Sequence, residues 1–471
     1  MVGAEPAAPL AVRAREALGD RLLQEALSTA TTRFVAARRT ALGSLPDSER
    51  YRDRARRIKE ATLQRLDQYL ELLAENLERA GGVVHWARDA AEAREVVVGL
   101  ARARGVRLVV KSKSMATEEI HLNEALEAAG IGAVETDLGE YIIQLAHERP
   151  SHIIVPAIHK TRAQIAALFS AEVGSVVPPD PELLTAVARR ELREKFLRAE
   201  MGVSGVNFAV AETGTLVLVT NEGNGRLVTT LPRIHVAVMG IDKVVPTLAD
   251  VVVLLQLLPR SATGQKLTTY TNFITGPRRA GEADGPDELH LVILDNGRAA
   301  QLGGPLRDAL SCVRCGACLN VCPVYREIGG HAYGHTYPGP IGILLTAMLE
   351  GTPAVRDLAH ASSLCGACLD ACPVRIDIPR MLVGLRASLA RERVAPWPER
   401  ALFAAFGRLL RVPALFRAAG RAARLLQRPL LRAGGRPRRL PLFFRGWTAH
   451  RDLPVVARRS FTERWGRGEL G

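Results

Sequence analysis

The sequence predicts an α/β domain, then a cysteine-bearing module of short helices and loops, then an arginine-rich extension. Three observations carry this. Short β-rich runs alternate with helical ones between residues 81 and 297. All seven cysteines fall between Cys312 and Cys372. Residues 391–471 hold 19 arginines, no lysine and five acids, while bases and acids balance elsewhere, so the whole +14 charge belongs to this tail. With 471 residues, 47% of them hydrophobic, the chain has apolar matter for more than one core, which excludes a disordered or collagen-like chain. No apolar run approaches the ~18 residues of a membrane span; the longest, around Val251 to Leu258, is far shorter. The opening MVGAEPAAPLAVRAREAL carries no signal-peptide pattern, so a cytoplasmic chain with reduced thiols is expected.

Residues 1–80 read as a helical lead. Leu63, Leu66, Leu70, Leu73 and Leu77 recur at steps of three and four, one apolar stripe that packs on the following domain. Gly81-Gly82 ends it. From 81 to 297 the runs VVHWA, AAEAREVVVGLARARG, VRLVVKSKS, TEEIHLNEALEAAG and AVETD follow in β-α-β order. HIIVPA at 152–157 reads as a further extended run before a helix from Lys160, and FAVAETGTLVLVTN, RIHVAVMG and HLVILD supply later strands. Such alternation predicts a parallel or mixed sheet covered by helices on both faces. Residues 298–395 form the cysteine module and 396–471 the basic extension, broken by Pro413, Pro429, Pro437, Pro441 and Pro454.

Cys312, Cys315, Cys318 and Cys322, followed by Pro323, give C-x2-C-x2-C-x3-C-P, the spacing of bacterial ferredoxins. Three thiolates at steps of three wrap a loop around one cluster; Gly316 permits the tight turn and Pro323 stops a helix from forming early. CGACLNVCPV at 315–324 recurs as CGACLDACPV at 365–374, identical at eight of ten positions with an offset of 50. In such pairs the fourth cysteine crosses to the other cluster. Cys312, Cys315, Cys318 and Cys372 are therefore expected to hold one iron-sulfur cluster, and Cys365, Cys368 and Cys322 a second, both of the [4Fe-4S] type. The offset places Ser362 where the second run needs its first cysteine. A serine oxygen, one of His331, His335 or His360, or a water completes that centre, or it holds three irons. Zinc prefers two separated pairs of ligands, and disulfides are disfavoured by compartment and by the odd count. Two clusters sharing exchanged ligands suit single-electron transfer. Arg314 and Arg375 beside the ligands would stabilise the reduced, more negative state.

The order of parts, with KSKSMATEEI, FAVAETGTLVLVTNEGNGRL, CVRCGACLNVCPVYREIGGHAYGHTYPGPIG and SSLCGACLDACPVRI, resembles the lactate utilization protein B family over nearly the whole chain. That resemblance implies a LUD domain, similar in fold to sugar-phosphate isomerases and CoA transferases, joined to a ferredoxin-type two-cluster module. It also implies the iron-sulfur subunit of a cytosolic, multi-subunit system oxidising L-lactate to pyruvate. Oxidation of another 2-hydroxy acid such as glycolate is an alternative, as is an isomerase- or transferase-like enzyme whose clusters serve structure or sensing.

Within the α/β region, Lys111, Ser112, Lys113, Ser114 and Glu118 stand where a strand turns into a helix, a candidate anion site with Ser114 or Thr117 as cap. Glu212, Thr213 and Gly214 with Asn221, Glu222, Gly223, Asn224 and Gly225 form a second polar group around a hairpin. Since CoA transferases of similar fold use a glutamate nucleophile, Glu212 is a conceivable catalyst or relic. No dinucleotide fingerprint and no ATP loop occur, and direct lactate oxidation would need a two-electron acceptor supplied with partner subunits. The tail, with Leu402, Phe403 and Trp447 among its arginines, is expected to dock a partner; peripheral lipid contact is a lesser option, and no specific nucleic acid is expected.

Overall fold

The computed structural model describes residues 8–427 and 454–469. A first compact unit runs to Leu389 and a second begins at Ala390. The helical lead comprises α1 (Leu10–Gly19), α2 (Arg21–Gly43), α3 (Ser48–Gln64) and α4 (Leu66–Arg79). Asp20 starts α2 by accepting the Leu23 N–H, satisfying a donor the helix cannot. The leucine stripe is buried throughout, although the helix breaks at Arg65 between Leu63 and Leu66. Gly81 takes φ +93°, and the Gly82 N–H returns to the Leu77 carbonyl, which closes α4 on a left-handed residue.

The strands are β1 (Val83–Ala87), β2 (Leu108–Lys111), β3 (Gly132–Glu135), β4 (Met201–Gly205), β5 (Phe208–Val210), β6 (Thr215–Thr220), β7 (Ile234–Gly240), β8 (Val244–Val245), β9 (Tyr270–Ile274) and β10 (Glu288–Leu294). The larger sheet is wholly parallel in the order β1-β10-β7-β4-β2-β3. A smaller mixed sheet runs β8-β5-β6-β9. Successive side chains of β2 enter opposite cores: Val109 packs with Ala93, Val97 and Val236, and Val110 with Tyr141, Phe169 and Val228. Burial on both faces is what a parallel sheet requires. α4 packs on β1 and β8, and the Asn76 side chain donates to the Ala211 carbonyl at 2.8 Å.

Two expectations change. HIIVPA forms turns, not a strand, because the buried His152 ring accepts the Ile154 and Val155 N–H groups at 3.0 and 3.2 Å and folds the segment back. The helix after it starts at Arg162. Conversely, MGVSG is β4 in the middle of the sheet: a Cβ on Gly202 would lie 1.9 Å from the Val228 carbonyl oxygen, so the covering helix demands a small residue there.

The cysteine module uses short helices, Ala317–Asn320, Pro323–Ile328, Gly339–Glu350 and Ala367–Ala371, ahead of a longer one, Ile378–Arg391. Pro323 does more than end a helix; it occupies the first turn of the next, where its missing N–H costs nothing. The second unit pairs helices Trp397–Arg411 and Pro413–Leu426. They leave Trp397 (75% exposed), Leu402, Phe403, Phe406 and Phe416 in the open. Arg424 pairs with Glu463 at 3.0 Å. Trp447, Pro429, Pro437 and Pro441 lie outside the described residues. Among the described residues no helix is long and apolar enough to cross a membrane.

Candidate metal centre and the adjoining cavity

Each cysteine run turns on a left-handed pair: Arg314 (φ +58°) and Gly316 (+71°) in the first, Leu364 (+55°) and Gly366 (+86°) in the second. The turns bring the thiols into two sets. Burial and the neighbouring Cys312, Cys315 and Cys372 push the Cys318 thiol well above its ordinary value. Burial, then Cys372 and Cys312, push Cys315 up to about 12, and burial aided by Cys312 pushes Cys372 up to about 11. In the other set burial, then Cys322 and Cys365, push Cys368 up to about 12. Cys365 is the exposed member, and the Ala367 N–H holds its thiol down.

So many thiols at close quarters resist ionisation until a cation compensates them. Backbone donors face the sulfurs as well: the Arg314 N–H meets Cys312 Sγ at 3.4 Å and the Ile376 N–H meets Cys372 Sγ at 3.3 Å. Sulfur-only donor sets ringed by N–H groups fit iron-sulfur clusters.

Two of the histidines considered for the incomplete set are engaged elsewhere. His331 Nε2 contacts the Arg149 carbonyl at 2.6 Å, its ring edge-on to His159, and His335 Nδ1 contacts Glu350 at 3.0 Å. His360 is exposed, and Ser362 stands half-buried ahead of Cys365.

Around Cys312 the chain concentrates positive charge. Asp242 is buried at the centre, with Arg298 at 2.9 Å, Lys243 at 3.4 Å and Arg314 at 3.6 Å from its carboxylate; Lys59 donates to its backbone carbonyl at 2.6 Å. Burial alone would raise this carboxyl, but Lys243, Arg314, Arg298 and Lys59 hold it well below the usual range. Arg298 also grips Glu119 through two bonds of 2.8 and 2.7 Å. Arg298 and Arg314 balance the two carboxylates, Lys59 and Lys243 add positive charge although burial lowers both, and Lys243 and Arg314 both reach the Cys312 carbonyl at 3.4 Å. A buried surplus of this sign stabilises a negatively charged neighbour.

Of the two arginines expected beside the ligands, Arg314 belongs to this group. Arg375 turns away to Glu49 at 2.8 Å and Asp53 at 2.6 Å, which cancels its charge. Lys59, Asp242, Lys243 and Arg298 carry no motif and were invisible in the sequence, as were Arg38 and Arg52 of the helical lead. These two arginines donate to the carbonyls of Ala371, Asp370 and Cys372.

A cavity of about 390 Å³ opens beyond the carboxyl ends of β2, β4 and β7, the place where open α/β sheets bind ligands. Ser112, Lys113 and Ser114 line one wall; Val313, Arg314 and Tyr337 of the cysteine module line another, together with Lys243. The anion site expected from the sequence is thus corrected. Lys111 is fully buried and spent on Glu135 at 2.5 Å, with Glu118 at 3.7 Å. Ser114, not Thr117, caps the helix. Lys113 lies 3.4 Å from Glu140 and has no hydrogen-bond partner. Burial pushes the Glu140 carboxyl up against the pull of Lys113, which weakens its hold on the lysine's charge.

The second polar group divides. Asn221, Glu222, Asn224 and Gly225 line the cavity, whereas Glu212, Thr213 and Gly214 sit at the opposite end of β6. Glu212 accepts the Leu248 N–H at 2.7 Å, at the start of helix Leu248–Ala262. Glu212 thus supports the first turn that Thr247 caps, at a site apart from the cavity: Glu212→Ala is expected to leave activity unchanged while lowering stability by about 1 kcal/mol, read from denaturant melts beside activity. A large loss of activity with unchanged stability would restore a catalytic role.

Residues 70–294 match the LUD domain model and residues 308–376 the 4Fe-4S dicluster domain model. The chain is 45% identical over 457 residues to Lactate utilization protein B of Shouchella clausii (strain KSM-K16), covering 97% of this chain and 96% of that protein. It is 44% identical over 449 residues to the Uncharacterized electron transport protein YkgF of Escherichia coli (strain K12), covering 95% and 94%. A crystal structure of a DUF162 family protein from Deinococcus radiodurans aligns with 49% of this chain and 98% of its own at 13% identity, with a TM-score of 0.25.

Proposed function

The chain belongs to the lactate utilization protein B family, and from that premise we propose that it is the electron-transfer subunit of a complex oxidising L-lactate to pyruvate. The observation that carries this reading is the gathering of seven cysteines into two adjoining sets, one of them sharing the loop of Arg314 with the cavity wall. Cys312, Cys315, Cys318 and Cys372 would hold the first cluster; Cys322, Cys365 and Cys368 would hold the second. When bound, two [4Fe-4S] clusters supply one-electron steps.

The chain's own residues do the rest. Lys59, Lys243 and Arg314 favour the more negative charge state at the first set. Lys113, whose ammonium has no hydrogen-bond partner, would offer a carboxylate its positive charge and its donors. Ile153, Val206 and Leu258 give the cavity an apolar portion beside these charges. The exposed apolar positions of helices Trp397–Arg411 and Pro413–Leu426, set among arginines, suit docking of the other subunits.

The test uses extracts of a strain lacking the chain. Anaerobically loaded protein is expected to restore lactate-dependent dye reduction, and a cysteine-free variant is not. Restoration by the cysteine-free variant would sink the reading; restoration with glycolate and not lactate would replace the substrate. Lys113→Met is expected to raise the half-saturating lactate concentration roughly tenfold or more, the worth of one charge-assisted hydrogen bond, while the electron paramagnetic resonance (EPR) signals of both clusters stay as in the parent.

A further inference from the structure

We propose that Ser362 is the fourth protein ligand of the second cluster, bound through its deprotonated hydroxyl oxygen. The inference rests on the two-cluster reading above and adds what the cysteines leave open. Its basis is that the two runs share the hydrogen bonds of their central turn at the offset of 50. Leu319 and Leu369 N–H groups return to Gly316 and Gly366 at 3.0 and 2.9 Å, and Cys322 and Cys372 N–H groups to Leu319 and Leu369, both at 3.1 Å. Arg314 and Leu364 share a left-handed backbone, φ +58° and +55°.

The correspondence extends to the side chain in question. The Arg314 N–H points at Cys312 Sγ, 3.4 Å away, and the Leu364 N–H points at Ser362 Oγ, 3.2 Å away. The hydroxyl oxygen therefore occupies the place and the hydrogen bond that a ligand sulfur occupies in the sister run. Arg386 fixes this stretch by donating to the carbonyls of Ala359 at 2.8 Å and Ser362 at 3.0 Å, so the oxygen is held in position by a scaffold independent of metal. Ser363 matches Val313 in the repeat, is exposed and has its hydroxyl engaged with the Cys365 thiol. His331 and His335 are turned to Arg149 and Glu350.

Binding is a ligand exchange without electron transfer. The Ser362 O–H bond breaks, an Fe–O bond forms, and the proton leaves to the solvent that reaches this half-buried residue. The Leu364 N–H then shares the alkoxide's charge, as the Arg314 N–H shares that of Cys312. An alkoxide is a harder and more basic donor than a thiolate and favours the oxidised irons, so the second cluster gains a lower potential than a four-thiolate equivalent.

Full-length protein loaded anaerobically with enriched iron, in parent, Ser362→Cys, Ser362→Ala and Ser363→Ala forms, decides the matter by Mössbauer spectroscopy and EPR-monitored redox titration. In the parent, one iron of the second cluster is expected to differ from its three neighbours in the manner of an oxygen-ligated site. Ser362→Cys should abolish that difference and raise the second cluster's potential while leaving the first in place. Ser362→Ala should lose one iron on mild oxidation under conditions the parent survives, whereas Ser363→Ala, which removes only a hydroxyl donor to Cys365, should keep all four irons and the oxygen-ligated signature. A second cluster whose spectrum and potential are the same in Ser362→Ala and parent overturns the assignment, as does a three-iron centre in the parent. Protein that takes up neither iron nor sulfide would instead overturn the two-cluster reading itself.

Discussion

Cys322→Ala and Cys372→Ala are expected to empty the clusters crosswise: the first substitution removes the second cluster, and the second removes the first. Proximity along the chain suggests the opposite, since Cys322 closes the run that begins at Cys312. In space Cys372 neighbours Cys312, Cys315 and Cys318, while Cys322 neighbours Cys365 and Cys368. A lost thiolate in the buried first set leaves an iron with neither protein nor water to complete it, and in the second set it leaves only two thiolates, Cys365 and Cys368, to hold the cluster. Iron should fall from about eight to about four per chain in each variant, with a different EPR signal surviving in each, and electron transfer should drop to background in both. If Cys322→Ala abolished the same signal as Cys315→Ala, the exchange of ligands between runs would be wrong. Far-ultraviolet circular dichroism distinguishes this from general unfolding.

Arg298→Met is expected to destabilise the first compact unit by about 3–5 kcal/mol, the cost of leaving buried carboxylates without their partner. The guanidinium is 1% exposed and holds Glu119 and Asp242 together. Glu119 in turn accepts the Tyr337 hydroxyl at 2.9 Å, which ties the cysteine module to the α/β domain. Urea unfolding of the loaded protein should show the loss as a lower midpoint. A midpoint within experimental scatter of the parent would mean that Lys59 and Lys243 suffice to hold Asp242, and that the junction does not depend on Arg298.

The cysteines were legible because iron-sulfur ligation is local: spacings of two and three residues set the loop whatever surrounds it. The strand-helix alternation was legible for the same reason, since burial on both faces writes continuous apolar runs such as VRLVV and HLVILD. Other features were fixed by tertiary approach. β4 hid behind Gly202, whose smallness answers the Val228 carbonyl and not any strand preference. Lys111 and Lys113 look equivalent in KSK, yet the first ends inside the sheet on Glu135 and the second lines the cavity. Glu212 and Glu222 appeared as one group, but the six residues of β6 separate them by about 20 Å at ~3.4 Å per residue. The cation group around Asp242 draws on positions 59, 243, 298 and 314, and no local pattern announces such an assembly.

The contacts of Arg52 bear on how the chain is made. Its guanidinium finds its acceptors in the carbonyls of Asp370 and Cys372, 318 and 320 positions later. A nascent polypeptide must release the second cysteine run from the ribosome before the opening helices can finish closing over it. The closure over Cys372 therefore comes last, once both cysteine runs have been made.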